Sequence, residues 1–386
     1  MRIALFTPYS PEIGGGSAQL RSHLRDLTDL DVRWYYLAAK ATAVRNEKWQ
    51  RIGEPLSFQE LISDLGARSG PLPGSRSRVR EIVRRMEADL FWIVGHHEGI
   101  SVAAELCEQG KPVHLTVHDD PFASWRRSER YRWFQPLLRR TFPGVLRGAR
   151  SVDVTSWGMR NLYREKYGVG CFSVYLHVPS LPELRLSPET GKLTVGHIGT
   201  LYAVEPFRKF VAACRGVAAE QRLELKIVRV GSSAQIDRVA TEDPRSFVSL
   251  GELAEPDAVR ALAACDLCYA MYPEGETFAP FRQTSLPIKL STYVQAQRPV
   301  FAHAPRDSTL ARAVGGYSIG AVCEGNDIAA LAKALSAIRS QSVSREAFEL
   351  IRKELMGAGQ VRQLGAALRG QNWRDFPEYD FPPTGA

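Results

Sequence analysis

The chain has 386 residues, of which 44% are apolar and 24% charged, with a formal net charge of +8 at pH 7. The length exceeds one core of the usual size and argues for two domains, and the ordinary apolar content makes the chain globular. The positive balance favours anionic partners (phosphate groups, lipid headgroups or nucleic acid) without choosing among them.

Residues 3–6 read as a buried strand, which sets the amino terminus apart from a signal peptide. No apolar run approaches the length of a membrane span, so a cytoplasmic protein is expected. After the strand come residues 7–16, ending in Gly14, Gly15 and Gly16, and a helix is expected to open at Ser17 with Leu20, Leu24 and Leu27 on its apolar face. Strand, glycine loop and helix in that order make a phosphate-approach unit: glycine lets backbone come close, and a helix N-terminus favours negative charge. The pattern is neither G-x-G-x-x-G nor a Walker sequence, and a plain flexible turn is the competing reading. Residues 32–37 form the next strand, residues 67–77 a loop by composition, residues 78–86 a helix and residues 90–94 a central strand ending before His96, His97 and Glu98. Residues 99–107 are helical, and residues 112–117 form a strand that ends at His118, Asp119 and Asp120. Alternation of strand and helix predicts a parallel sheet with helices on both faces, whose carboxyl strand ends gather function; His118 and the glycine loop both fall there. A zinc site drawn from His96, His97 and residues 118–120 is disfavoured, because adjacent histidines at a strand end point apart.

Residues 122–148 are basic and aromatic, with Trp125, Arg126, Arg127, Arg130, Tyr131, Arg132, Trp133, Phe134, Arg139 and Arg140. One reading is a surface for an anionic membrane; the other is a solvated helix face whose Leu137, Leu138, Val145 and Leu146 pack inward. Pro136 argues against one uninterrupted helix there. A strand at 151–155 and a helix at 158–167 follow; residues 174–179 close the first domain, and residues 181–192 look like a linker. The second half restarts the alternation. Strands are expected at 193–198, 225–230, 247–250 and 266–271, and helices at 207–218 and 256–264. The C-x-x-C of Cys265 and Cys268 lacks a second pair and reads as core thiols, and the six cysteines suggest no disulfide framework.

Residues 284–302, Thr-Ser-Leu-Pro-Ile-Lys-Leu-Ser-Thr-Tyr-Val-Gln-Ala-Gln-Arg-Pro-Val-Phe-Ala, read as loop, helix and buried strand. Pro287 suits a first helical turn, and Leu290, Tyr293 and Val294 share a face. The loop would aim free N–H groups at an anion, with Lys289, a partly exposed lysine one turn inside, adding charge. An ordinary surface helix is the alternative. Residues 351–370 are helical, and residues 372–386 form an extended end.

Pro287, Lys289, Tyr293, Pro299 and Val300 resemble the Pro-x-Lys-x-x-Glu-Tyr segment and following Pro-Val strand of the retaining GT-B glycosyltransferases of family 4. Residues 195–200 and 253–271 are also similar to that family's second half, and the triple glycine to its N-terminal loop. The resemblance implies an α/β GT-B fold, with two Rossmann-like parallel-sheet domains facing each other across a cleft. Its parts would be an acceptor domain at 1–180, a linker at 181–192, a donor domain at 193–355, and a C-terminal helix and tail at 356–386 crossing back. The implied activity is transfer of a sugar from a nucleotide-diphosphate sugar to an acceptor hydroxyl, with retention, without a metal and without a cofactor. Charge grows on the leaving diphosphate, so fixed donors must be aimed there.

By the same resemblance, His118, Lys289 and Arg208 are the catalytic candidates, and His118 would hydrogen-bond a sugar hydroxyl. Gly15, Gly16, Thr200, Lys209, Thr284, Ser285, Leu286 and Thr292 are expected at the donor, and His97 and Asp119 on the acceptor side. Departures are clear. Thr200 stands where the family has Arg, with Arg208 and Lys209 displaced along the chain. Thr284 and Thr292 stand where it has a pair of Glu, although Glu274 and Glu276 lie upstream and a longer loop could bring one in; a hydroxyl holds a ribose less firmly than a carboxylate does. The partners expected are a nucleotide-sugar donor and a glycan or lipid-linked acceptor, with peripheral contact at the inner membrane as one reading of the basic segment, and no nucleic acid. A non-catalytic protein of this fold binding a nucleotide sugar or glycan, or a sugar-nucleotide epimerase, remains the alternative.

Overall fold

The computed structural model describes residues 1–12, 14–69, 74–96, 98–123, 135–184 and 186–378. Two compact units emerge: residues 1–177 with 358–378, and residues 178–357. Among the described residues, each unit is built on one sheet with all strand pairs parallel.

In the first unit the strands are β1 (Arg2–Thr7), β2 (Asp31–Leu37), β3 (Trp49–Gly53), β4 (Leu90–Val94), β5 (Val113–Val117), β6 (Ser151–Val154) and β7 (Phe172–Ser173), in the order β3-β2-β1-β4-β5-β6-β7. The helices are α1 (Gly15–Asp26), α2 (Phe58–Ser69), α3 (Ser77–Arg84), α4 (Glu98–Glu108), α5 (Gln135–Gly148) and α6 (Trp157–Tyr167). Strands buried on both faces read as apolar runs, as residues 90–94 do. One face packs Phe6, Ile93, Leu115, Val117 and Val154 against α4 and α5 residues such as Val102, Phe142 and Leu146. The other packs Leu5, Trp34, Trp92 and Val174 against Leu20 and Leu27 of α1 and against Val361 and Leu364 of the late helix Ala358–Arg369. That helix and the segment before it were expected as one run from residue 351; the helix breaks at Met356 and Gly357 instead. A Cβ at Gly357 would lie 2.2 Å from the Lys353 carbonyl oxygen.

In the second unit the strands are β8 (Lys192–Ile198), β9 (Glu224–Val230), β10 (Phe247–Ser249), β11 (Leu267–Met271), β12 (Val300–His303) and β13 (Gly320–Cys323), in the order β10-β9-β8-β11-β12-β13. The helices are α7 (Val204–Glu220), α8 (Ala234–Ala240), α9 (Glu255–Ala263), α10 (Ala279–Thr284), α11 (Lys289–Ala296), α12 (Thr309–Gly316), α13 (Ile328–Ser340) and α14 (Arg345–Leu355), and the late helix of the first unit is α15. Phe207, Phe210, Tyr269 and Phe301 are fully buried in its core.

Four local readings are corrected. The helix of the glycine loop opens at Gly15, not Ser17, so Gly15 and Gly16 lie in its first turn. Residues 67–69 belong to α2, and Ser77 already begins α3, so composition overstated that loop. Pro136 does not interrupt a helix, because α5 begins at Gln135 and places it in the first turn, where no N–H is needed. α11 begins at Lys289 after a tight turn in which Leu290 N–H donates to the Pro287 carbonyl. It ends at Gln297, whose left-handed φ of 53° closes it where glycine would be usual.

Candidate functional site

In open parallel sheets, ligands bind beyond the carboxyl strand ends where the strand order reverses. In the second unit that point lies at β8, which has β9 on one side and β11 on the other. The turn after β8 is opened by Gly199, whose φ of 71° favours glycine. Lys289 reaches this turn from the start of α11. Its Nζ donates to the Thr200 carbonyl at 2.6 Å and lies 3.4 Å from His197 Nε2. It also sits 5.4 Å from the centroid of the Tyr202 ring. The residue is 9% exposed, so the expectation of a partly exposed lysine is corrected.

His197 is buried at the end of β8, with Nδ1 3.1 Å from the Tyr269 carbonyl. Burial, reinforced by the Lys289 ammonium, drives its pKa well below the ordinary range. Its Nε2 lies 3.2 Å from the Gly199 carbonyl as well as beside Lys289, so the neutral ring, with one N–H, donates to one of the two carbonyls it faces. Tyr202 stacks on Tyr272 at 5.4 Å, and Phe281 meets both rings edge-on. His197, Tyr202 and Tyr272 were not singled out from sequence; position after β8 and β11 is the signal that could have found them.

The stretch expected as an open donor loop is tightly tied. Thr284 closes α10, and its hydroxyl donates to the Pro280 carbonyl at 2.6 Å. Ser285 N–H donates to the Phe281 carbonyl at 2.9 Å, so that donor is already used. The Ser285 carbonyl accepts from Tyr272 Oη at 2.9 Å and from the Thr309 hydroxyl. Leu286 is buried, and Thr292 is half-buried on α11, three residues after Lys289. The structure does not bring Arg208 to Lys289: it lies on the surface of α7, bonded to Glu242 at 2.6 Å and to Glu205. Those two carboxylates, through their hydrogen bonds, raise its pKa. Lys209, next along α7, is exposed.

In the first unit the reversal lies at β1, between β2 and β4. The loop after β1 carries Tyr9, whose Oη is 3.1 Å from His118 Nδ1 just past β5. Tyr9 also meets His96, just past β4, edge-on at 6.3 Å. Gly16 packs into this pair: a Cβ there would lie 2.6 Å from His118 Nδ1 and 2.7 Å from Tyr9 Oη. Gly14, not Gly15 or Gly16, takes the left-handed conformation, at φ 88°. The His118 carbonyl accepts the Thr155 hydroxyl at 2.8 Å. Desolvation brings the His118 pKa down to about 4, partly offset by Asp153, so the ring is neutral at pH 7. Nδ1 is engaged by Tyr9 and Nε2 is buried without a hydrogen-bond partner among the described residues, while the residue as a whole is half-buried. Tyr9 is the group the sequence reading missed.

Asp119 is half-buried beside His118. His97 and, of the basic aromatic segment, residues 124–134 lie outside the described residues; Arg139 and Arg140 are exposed on α5. Among the described residues no three His, Cys, Asp or Glu side chains gather as a metal site, and no helix is long and apolar enough to cross a membrane.

No family model and no curated protein matches the chain. Solved structures do. One is the trehalose-6-phosphate synthase OtsA, 10% identical, with a TM-score of 0.64 over 96% of this chain and 99% of that one. Another is sucrose-phosphate synthase from Thermosynechococcus elongatus, 15% identical, with a TM-score of 0.64 over 95% of this chain and 98% of that one. A third is HepE from Anabaena in complex with UDP, 15% identical, with a TM-score of 0.56 over 95% of each chain. At such identities the likeness speaks for architecture alone: the chain has the fold of the GT-B glycosyltransferases.

Proposed function

We propose that this protein transfers a glycosyl group from a nucleotide-diphosphate sugar to an acceptor hydroxyl. The observation that carries the reading is Lys289, a buried ammonium held at the strand-order reversal of the second unit beside the Gly199 turn. Cleavage of a sugar–diphosphate bond leaves growing negative charge on the phosphates. A preorganised cation at a helix start, shielded from water, stabilises that charge more than a solvated one can. UDP in the similarly folded HepE supports a nucleotide donor. Retention, a hexosyl donor and independence of metal come with the resemblance and are part of the proposal.

The test is a thermal-shift screen of the full chain against UDP-, GDP-, dTDP-, ADP- and CMP-linked sugars, followed by donor-consumption assays. Stabilisation by one of these, followed by turnover, is the expected result. A fold that no nucleotide sugar stabilises at concentrations far above ordinary Kd values overturns the reading. A second reading, a non-catalytic nucleotide-sugar binder, is favoured by Thr284 and Thr292 standing at the positions of two acidic residues. It predicts stabilisation without donor consumption.

A further inference from the structure

Beneath helix α1 the first sheet carries a line of polar side chains in an otherwise apolar layer. Alternation puts His114, Thr116 and His118 on one face of β5 and its extension, and Ser151, Asp153 and Thr155 on the same face of β6 and its extension. Val113, Leu115, Val117, Val152 and Val154 take the opposite, apolar face. Asp153 is the centre of this line and is 1% exposed. Its Oδ1 accepts from Thr116 Oγ1 at 2.5 Å and pairs with His114 Nε2 at 2.7 Å. Thr116 in turn accepts Trp92 Nε1 at 2.7 Å. The other carboxylate oxygen, Oδ2, is buried with no hydrogen-bond partner among the described residues.

Two more orphaned atoms share this layer. His118 is the diagonal neighbour of Asp153 across the ladder, because Thr116 lies directly opposite Asp153, and its Nε2 is buried and unpartnered. His23, on the buried side of α1, is 1% exposed and also has an unpartnered Nδ1. Its Nε2 faces the Tyr175 carbonyl at 3.1 Å, and a carbonyl only accepts. His23 Nε2 therefore carries the proton and Nδ1 is a bare lone pair; burial, which lowers the pKa of this ring, keeps it neutral. The pKa values of His118 and His23 each respond to the charge of Asp153, which agrees with the three groups being near one another.

We propose that one buried water joins these three atoms, and that through it Asp153 is a positioning residue which fixes the tautomer of His118. A water has two protons to give and lone pairs to receive. Asp153 Oδ2 and His23 Nδ1 can only accept, so they take both protons. The third bond must then run from His118 Nε2–H to the water oxygen. That assignment leaves His118 Nδ1 as an acceptor, and the Tyr9 hydroxyl donates to it. The Tyr9 oxygen then faces any approaching hydroxyl as a hydrogen-bond acceptor. This last consequence rests on the proposed sugar-transfer reading; the tautomer itself does not.

The test measures the tautomer in the full-length chain without any substrate. Histidine labelled with 15N reports which ring nitrogen bears the proton, and the His118 signals are identified by their loss in His118→Gln. The wild type should show His118 protonated on Nε2 and bare on Nδ1. Asp153→Asn keeps the Oδ1 acceptor for Thr116 and His114 but turns Oδ2 into a donor, which takes one of the water's two lone pairs. One water proton is thereby released from the Asp153 side and can go to His118 Nε2, so the Nε2-protonated tautomer is no longer enforced and its share should fall. A proton on Nδ1 in the wild type overturns the proposal, as does an unchanged share of the Nε2-protonated tautomer in a folded Asp153→Asn chain. Should that variant fail to fold, a high-resolution crystal structure of the wild type decides: density for a water bonded to all three atoms is expected, and direct contact or an unbridged gap overturns it. Because no donor or acceptor is present, absence of sugar transfer would leave this result standing.

Discussion

Replacing Lys289 by Met tests the assignment of the donor site most directly. Met retains the buried stem and roughly its volume and removes only the charge and its hydrogen bonds. In the folded protein the Thr200 carbonyl, 2.6 Å from Nζ, loses its donor, and His197 Nε2 loses a neighbour at 3.4 Å. An unsatisfied buried acceptor costs about 1–3 kcal/mol, and relief of the buried ammonium's own desolvation offsets part of it. The expected stability loss is therefore about 1–2 kcal/mol, read as a lower urea midpoint with an unchanged slope. The transition state should lose more. Removing one preorganised donor from a developing oxyanion typically lowers kcat about 100- to 1,000-fold, or about 3–4 kcal/mol. Both measurements belong on one preparation, with turnover assayed well below the unfolding transition. A Met variant that turns over donor at the wild-type rate removes Lys289 from the chemistry, whatever its stability.

Gly16→Ala should displace the Tyr9–His118 pair, since the added Cβ would fall 2.6 Å and 2.7 Å from their polar atoms. Overpacking of about 1–3 kcal/mol exceeds or cancels the gain of about 1 kcal/mol that alanine brings to a helix. Unchanged urea midpoints and unchanged kinetics would show that the glycine is only part of a turn. Glu98, 6% exposed, accepts the Leu56 N–H at 3.1 Å, and desolvation pushes its pKa up to about 7 from 4.5. Because the folded state holds this proton more tightly, its stabilising contribution is complete below about pH 4.5 and is lost as pH rises through about 7. A shift of that size corresponds to about 3 kcal/mol. Glu98→Gln should therefore unfold at higher urea than wild type at pH 8 and at a similar concentration near pH 4; equal midpoints at pH 8 would refute the assignment.

Strand positions were legible because a buried parallel strand is an apolar run, and residues 90–94 stand as read. β3 was not read, since its Trp-Gln-Arg-Ile-Gly carries no apolar run and exposes two of its five residues at a sheet edge. α10 escaped as well: a short helix between Gly275 and Pro287 has no room for periodicity to show. Within the site, the residue types were legible but not their directions. Lys289 was read from its place one turn inside a helix, yet its burial depends on the turn after β8, distant in sequence. Arg208 carries the charge that the pattern asks for, but Glu205 and Glu242 hold it on the surface of α7. The pairing of Tyr9 with His118 spans 109 positions, and no local pattern encodes it.

On the proposed reading, the departures from the resembled pattern around Lys289 act together. Where the family pattern has an arginine, this chain has Thr200, which contributes a backbone carbonyl to Lys289 instead of a second cation. Where the pattern has two carboxylates, the chain has Thr284, whose hydroxyl is spent on the Pro280 carbonyl, and Thr292. The ammonium is steadied by a carbonyl, a neutral imidazole and the Tyr202 ring. On the proposed reading, a diphosphate entering this site competes with the Thr200 carbonyl for the three N–H donors of Lys289, exchanging a neutral acceptor for a charged one. Such an exchange is favourable, because a charge-assisted bond to phosphate is stronger than one to a carbonyl. On the proposed reading, donor binding then rests chiefly on the contact of the phosphates with Lys289.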